Sequence, residues 1–164
     1  MKTIYLVRHA KSGWDNHDLA DFDRPLNDRG LKSAPFMAYQ LKKKEIKPDL
    51  VISSPANRAF TTAEIFCEIL EYPRDQIVPR IEIYEGGTTH LLNIVQQIPD
   101  NYTTVMLFGH NPTITDFVNL LAGNHIDSMS TCSIVSVDMK IKSWEKAAAD
   151  TGKIVFHEYP KKHQ

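Results

Sequence analysis

Apolar positions along the chain follow two rhythms. Continuous apolar runs in "KTIYLVRH", "DLVISS", "IVPRIEIY", "TTVMLFGH", "SIVSVDMK" and "KIVFHEYP" predict strands, several of them buried on both faces as parallel strands are. Helical spacing lies between the early ones. The stretch from Asn27 to about Lys44 places Leu31, Ala34, Ala38 and Leu41 on one face, ends in lysines, and carries Pro35, which should kink its first turns. "PANRAFTTAEIFCEIL" and "PTITDFVNLL" predict two more helices, and "HLLNIVQQI" a fourth with Leu91, Leu92, Val95 and Ile98 inward. After Asn124 two strand patterns flank a short helical turn and loop at "KSWEKAAADTG". The alternation predicts an α/β fold: a single three-layer domain over residues 1–164, with a central, mostly parallel sheet flanked by helices.

The ends of three predicted strands carry the polar chemistry. "YLVRHAKSG" runs straight into Arg8, His9 and Lys11. "VISSPANR" offers Ser54 as a helix N-cap with Pro55 at the first helical position and Arg58 in the first turn. "LFGHNPTI" repeats the pattern with Asn111 as cap, Pro112 at the first position and His110 closing the strand. In open α/β sheets the carboxyl edge of the strands binds ligands. Arg8, His9, Arg58 and His110 on that edge, beside two helix N-termini, would attract a tetrahedral dianion such as a phosphoryl group.

Composition narrows the classes. The 164 residues are 42% hydrophobic and carry a formal net charge of −1, so no broad field attracts nucleic acid or an anionic membrane. Neither a membrane span nor a signal-peptide core is visible, which leads to a cytoplasmic expectation. Cys67 and Cys132 lack metal-ligand or redox spacing and are expected to be buried free thiols. A zinc site on His9 and His110 would be repelled by Arg8 and Arg58, so neither metal nor cofactor is expected. His17, His90, His125, His157 and His163 are expected on the surface or in loops, and "LKKKEIK" as a solvated helix end.

"LVRHAKS", "SSPANRAFTTA" and "FGHNP" resemble, in order and each at a strand end, three motifs of the histidine phosphatase superfamily, whose larger relatives include the phosphoglycerate mutases. Small size, "RHAKS", "RPLNDRG" and the final strand ending in Pro-Lys most resemble the bacterial SixA-like phosphohistidine phosphatases. The resemblance implies a phosphoglycerate mutase-like fold, His9 as nucleophile, and Arg8, Arg58 and His110 as phosphoryl ligands. It also implies that Thr62 supports packing. Ala10 stands where the superfamily motif has glycine, so the turn after His9 must use ordinary backbone angles. The superfamily's larger members use an acidic proton donor after the third strand; here Glu82 and Glu85 are both candidates, or none.

The chemistry suits these residues. A neutral imidazole can attack phosphorus, and neighbouring guanidiniums keep it unprotonated. A phosphohistidine substrate leaves as an imidazole and needs little acid assistance, whereas an alkoxide needs more. The expected partner is therefore a phosphorylated protein, including a histidine-phosphotransfer domain, with a small phosphate ester or anhydride as the alternative and a non-catalytic phosphate-binding module as the third reading. Trp14 and Phe22 either wall the pocket or pack a loop, and Arg24 either reaches phosphate or pairs with Asp21 or Asp23.

Overall fold

The protein is described by a computed structural model covering residues 1–13 and 16–164; the expectation for Trp14 lies outside the described residues. Its elements run β1 (Lys2–Arg8), α1 (Asp28–Lys43), β2 (Leu50–Ser53), α2 (Asn57–Leu70), β3 (Val78–Pro79), α3 (Glu82–Glu85), α4 (Thr88–Gln96), β4 (Thr104–Gly109), α5 (Thr113–Ala122), β5 (Ile134–Met139) and β6 (Gly152–Glu158). They form one α/β domain around a six-stranded sheet of order β3-β2-β4-β1-β5-β6. The first four strands in that order are mutually parallel; β5 runs antiparallel to β1, and β6 antiparallel to β5.

Strand alternation makes the three layers. Ile4, Leu6, Val105, Leu107, Val135 and Val137 face α4 and α5, in a cluster with Leu91, Phe117 and Trp144. Their neighbours Tyr5, Val7, Met106, Phe108 and Ile134 face α1 and α2, against Met37, Leu41 and Phe66. Residues of period two thus fill two separate cores from the same strands.

Three expectations shift. "IVPRIEIY" contracts to the two residues of β3, because β2 offers partners only at Ile52 and Ser53; the following residues turn into α3 and bury Ile83 instead. In α1 the buried face is Gly30, Ala34, Met37, Ala38 and Leu41, while Leu31 is 51% exposed, and the helix continues through Pro35. His157 lies within β6, in the strand that "KIVFHEYP" predicts, and is partly buried instead of on the surface. Both cysteines are free and buried as expected.

Chain topology places the site. From β1 the chain crosses to β2 through α1 on one face; from β4 it crosses to β5 through α5 on the other. Loops leaving two adjacent parallel strands in opposite directions open a crevice at their carboxyl ends. Gly30 fixes the β1 exit: a Cβ there would lie 2.1 Å from the Lys11 carbonyl, which also accepts from Asn27 N–H at 3.0 Å.

Candidate active site

β1 and β4 end in register at Arg8 and Gly109, so the next residues, His9 and His110, emerge side by side. Their ring centroids lie 5.1 Å apart. β2 ends one strand over, and Ser54 N–H bonds the Phe108 carbonyl at 3.0 Å, bringing Ser54 beside His110. Arg58 is the second residue of α2, the helix that follows β2.

His9 is 7% exposed. Its Nδ1 lies 2.7 Å from the Ala10 carbonyl, and since a carbonyl can only accept, Nδ1 carries the ring proton. Nε2 therefore keeps its lone pair. Burial, with the charges of Arg58, Arg8 and Arg24, pushes His9 down to about 4, so the ring is neutral through the physiological range. Ala10 is absent from the positive-φ residues, as the alanine requires. Its N–H donates to Thr62 Oγ1 at 3.0 Å, and that hydroxyl donates to the Arg58 carbonyl at 2.7 Å. Thr62 thus braces the His9 turn against the first turn of α2.

His110 Nε2 sits 2.8 Å from Ser54 Oγ, which accepts from Ala56 N–H at 3.1 Å. Donation from the Ser54 hydroxyl to Nε2 corresponds to the His110 tautomer with its proton on Nδ1. Burial and the His9 ring push His110 down to about 3. Its Nδ1 and Arg8 Nε are both buried without a hydrogen-bond partner among the described residues. Arg8 Nε, and His110 Nδ1 when it carries the ring proton, are orphaned donors on one strand edge, costly unless an acceptor such as an oxyanion fills the gap. Arg8 Nη1 is held by the Met129 carbonyl at 2.8 Å.

The expected caps are arranged differently. α2 begins at Asn57 with Ala56 in the cap position, and Ser54 lies two residues ahead. α5 begins at Thr113 with Pro112 in the cap position. Asn111 instead latches the segment before β5: its amide donates to Ser128 Oγ and the Met129 carbonyl and accepts from Thr115 Oγ1. Each helix thus begins one or two residues after its proline, and the polar side chain before that proline makes tertiary contacts.

Two residues the sequence reading did not assign to the site are Asp21 and Tyr84. Asp21 accepts from Arg58 through its carbonyl and carboxylate, from Arg24 Nη1 at 2.8 Å, and from the Tyr84 hydroxyl at 2.7 Å. These donors hold its carboxyl down to about 2. Tyr84 sets its ring edge-on to both His110, at 5.6 Å, and Phe22, at 5.1 Å. Arg24 pairs with Asp21, one of the two partners considered for it, and also donates to Ser12 Oγ and the Gly13 carbonyl. Of the two candidate proton donors, Glu82 is bound through both oxygens by Arg80 and held down to about 2, while Glu85 is exposed. An acidic residue beside an arginine in "DFDRP" was the available signal for Asp21; no local pattern marks Tyr84.

The site thus combines neutral imidazoles, two arginines and orphaned donors on one edge. The family model of the histidine phosphatase superfamily (branch 1) matches residues 4–88, the part that holds Arg8, His9, Ser54 and Arg58. An uncharacterised chloroplastic protein of Arabidopsis thaliana is 31% identical over 160 residues, 92% of this chain and 72% of the relative. In fold, the protein histidine phosphatase SixA complexed with tungstate aligns with a TM-score of 0.86 at 22% identity, covering 99% of each chain. A mycobacterial glucosyl-3-phosphoglycerate phosphatase aligns at 0.69 and 14% identity, covering 94% of this chain and 97% of that one. Phosphatases named for a protein substrate and for a small ester therefore share this architecture. The sheet edge that carries Arg8, His9 and Arg58 lies within the family match, and the chain belongs to the histidine phosphatase superfamily, branch 1, as a phosphatase of phosphoglycerate mutase-like fold.

Proposed function

We propose that this phosphatase works through a phosphohistidine intermediate on His9 and that its substrate class is protein phosphohistidine. The observation that carries the first part is the Nδ1 contact to the Ala10 carbonyl, which leaves a neutral Nε2 lone pair in a buried ring. As Nε2 forms its bond to phosphorus, the bond from phosphorus to the leaving imidazole breaks; that ring, protonated by solvent on its other nitrogen, keeps the electron pair and leaves neutral. Water then attacks phosphorus, its proton staying on the departing phosphate, and the electron pair of the Nε2–phosphorus bond returns to Nε2. Arg8, Arg58 and the His110 Nδ1–H hold the equatorial oxygens throughout, supplying the charge stabilisation a loose phosphoryl transition state needs.

The state of the site's acids supports the substrate class. Asp21 and Glu82 are both held down to about 2, and the Tyr84 phenol, donating to Asp21, is raised above its ordinary value. None of these groups is a ready proton donor at neutral pH. An imidazole, with an ordinary pKa near 6.5, leaves without one, whereas an alkoxide does not.

Rapid quenching during turnover tests the nucleophile. The expected result is a phosphoryl group on His9, stable in alkali and lost in acid, with neither adduct nor turnover in His9→Ala but residual phosphate binding. Label on His110 would exchange the two roles, and full activity in His9→Ala would leave direct attack by water. Hydrolysis of a phosphohistidine peptide compared with phosphoserine and 3-phosphoglycerate tests the substrate class; preference for either ester would overturn it.

A further inference from the structure

A groove of about 630 Å³ lies outside the residues described above. Arg29, Lys32 and Phe36 form one wall on α1, Lys161 and His163 the other, and Lys11 lies at its inner end. Arg29, Lys32, Lys11 and Lys161 are exposed and make no side-chain hydrogen bond or ion pair among the described residues. Among the described residues, no Asp or Glu side chain lines the groove. His163 differs, being paired with Glu158. Unpaired cations around one concavity raise a local positive potential in a chain whose net charge is −1.

The arrangement is extended. Positions 29, 32 and 36 lie three and four residues apart, on one helix face, and cover roughly 10 Å at 1.5 Å per residue. That length matches three or so residues of extended peptide at about 3.3 Å each, more than a single oxyanion needs. It is short for nucleic acid, which is gripped through roughly six to ten phosphates. Phe36, 43% exposed and packed edge-on against His163 at 5.7 Å, adds an apolar surface where the two walls meet.

The groove also adjoins the chemistry. Lys11 is two residues from His9, within about 7 Å of chain. On the other side, Thr131 lines the groove, and the next residue, Cys132, donates its N–H to the carbonyls of Arg8 at 3.1 Å and His9 at 3.0 Å. The groove is thus joined to the His9 turn on both sides, through Lys11 and through Thr131–Cys132.

We propose that the groove docks an acidic segment of the phosphorylated protein substrate, a role that rests on the phosphoprotein reading of the site. The binding probe is a fluorescein-labelled deca-glutamate peptide followed by anisotropy. The expected result is salt-sensitive binding, weakened about tenfold or more in Arg29→Glu/Lys32→Glu and reduced in Lys161→Gln on the opposite wall. Turnover of phosphoramidate, which is too small to reach the groove, should be unchanged in both variants, which also shows that they are folded. A phosphohistidine peptide flanked by glutamates should be preferred over one flanked by lysines by the native protein and not by the double variant. Absence of peptide binding, equal binding by the variants, or equally tight binding of single-stranded DNA would each overturn the proposal. If neither phosphohistidine peptide is hydrolysed, the substrate reading fails separately, and the anisotropy result still decides the groove.

Discussion

Asp21 binds the Arg58 guanidinium twice, its carbonyl accepting from Nη1 at 2.8 Å and its carboxylate from Nη2 at 3.1 Å. The remainder of the five-donor fork stays available for an anion, so Asp21 fixes the plane in which Arg58 would meet it. Asp21→Ala should lower kcat by about tenfold through misplacement, against roughly 10² to 10³ for Arg58→Ala, where the charge itself is lost. Steady-state kinetics on the two variants check this. A gain in phosphate affinity with kcat preserved would show Asp21 competing with the anion instead of positioning the arginine.

Ser54 Oγ lies 2.8 Å from His110 Nε2, and by donating there it would favour the tautomer with the proton on Nδ1. Ser54→Ala removes the hydroxyl proton that occupies Nε2, letting the ring proton move off Nδ1. A fall in kcat of about tenfold is the expected outcome, together with a stability loss of about 1–3 kcal/mol from the buried Ala56 N–H left unpaired, and Ser54→Thr should restore most of both. Nitrogen-detected NMR of the imidazole reads the tautomer directly.

Burial of two imidazoles links stability to pH. His9 is held at about 4 and His110 at about 3, both below the ordinary 6.5. Between the unfolded and folded values the unfolded chain binds protons that the native one does not, so this contribution is present above about pH 6.5 and is lost as pH falls towards the folded values. Melting temperature should therefore decline on acidification through that window, and less steeply in His9→Gln. NMR titration should find neither ring protonating between pH 7 and 5; a midpoint near 6.5 for either would falsify the expectation.

Thr62 is fully buried and serves as acceptor for Ala10 N–H and donor to the Arg58 carbonyl. Thr62→Val keeps the shape and leaves the Ala10 N–H unpaired, while the Arg58 carbonyl keeps its helical bond, at a cost of about 1–3 kcal/mol. Chemical denaturation measures it, and Thr62→Ser should recover part of the loss.

Two guanidiniums occupy the place where a metal would neutralise phosphoryl oxygens. Chelation with EDTA should leave turnover unchanged. Activity lost to the chelator and regained with zinc or magnesium would mean that a cation shares the site.

The sequence by itself determined much of this protein because its signals are local and periodic. Alternation in "YLVR" and "VMLF" assigns opposite faces to Tyr5 and Leu6, and to Met106 and Leu107, since a strand has no third direction. Residues directly after such runs must emerge at a strand end, which is why Arg8, His9 and His110 were legible as a cluster. Tertiary structure decided what depends on a distant partner. β3 is short because β2 stops at Ser53, and Leu31 is exposed because Gly30 turns towards Lys11 and sets the roll of α1. Ser54 and Asn111, predicted as helix caps, spend their hydrogen bonds on His110 and on the segment before β5. Asp21 and Tyr84 meet Arg58 and His110 across large sequence separations, and a hydrogen bond between such residues leaves no periodic trace in the chain.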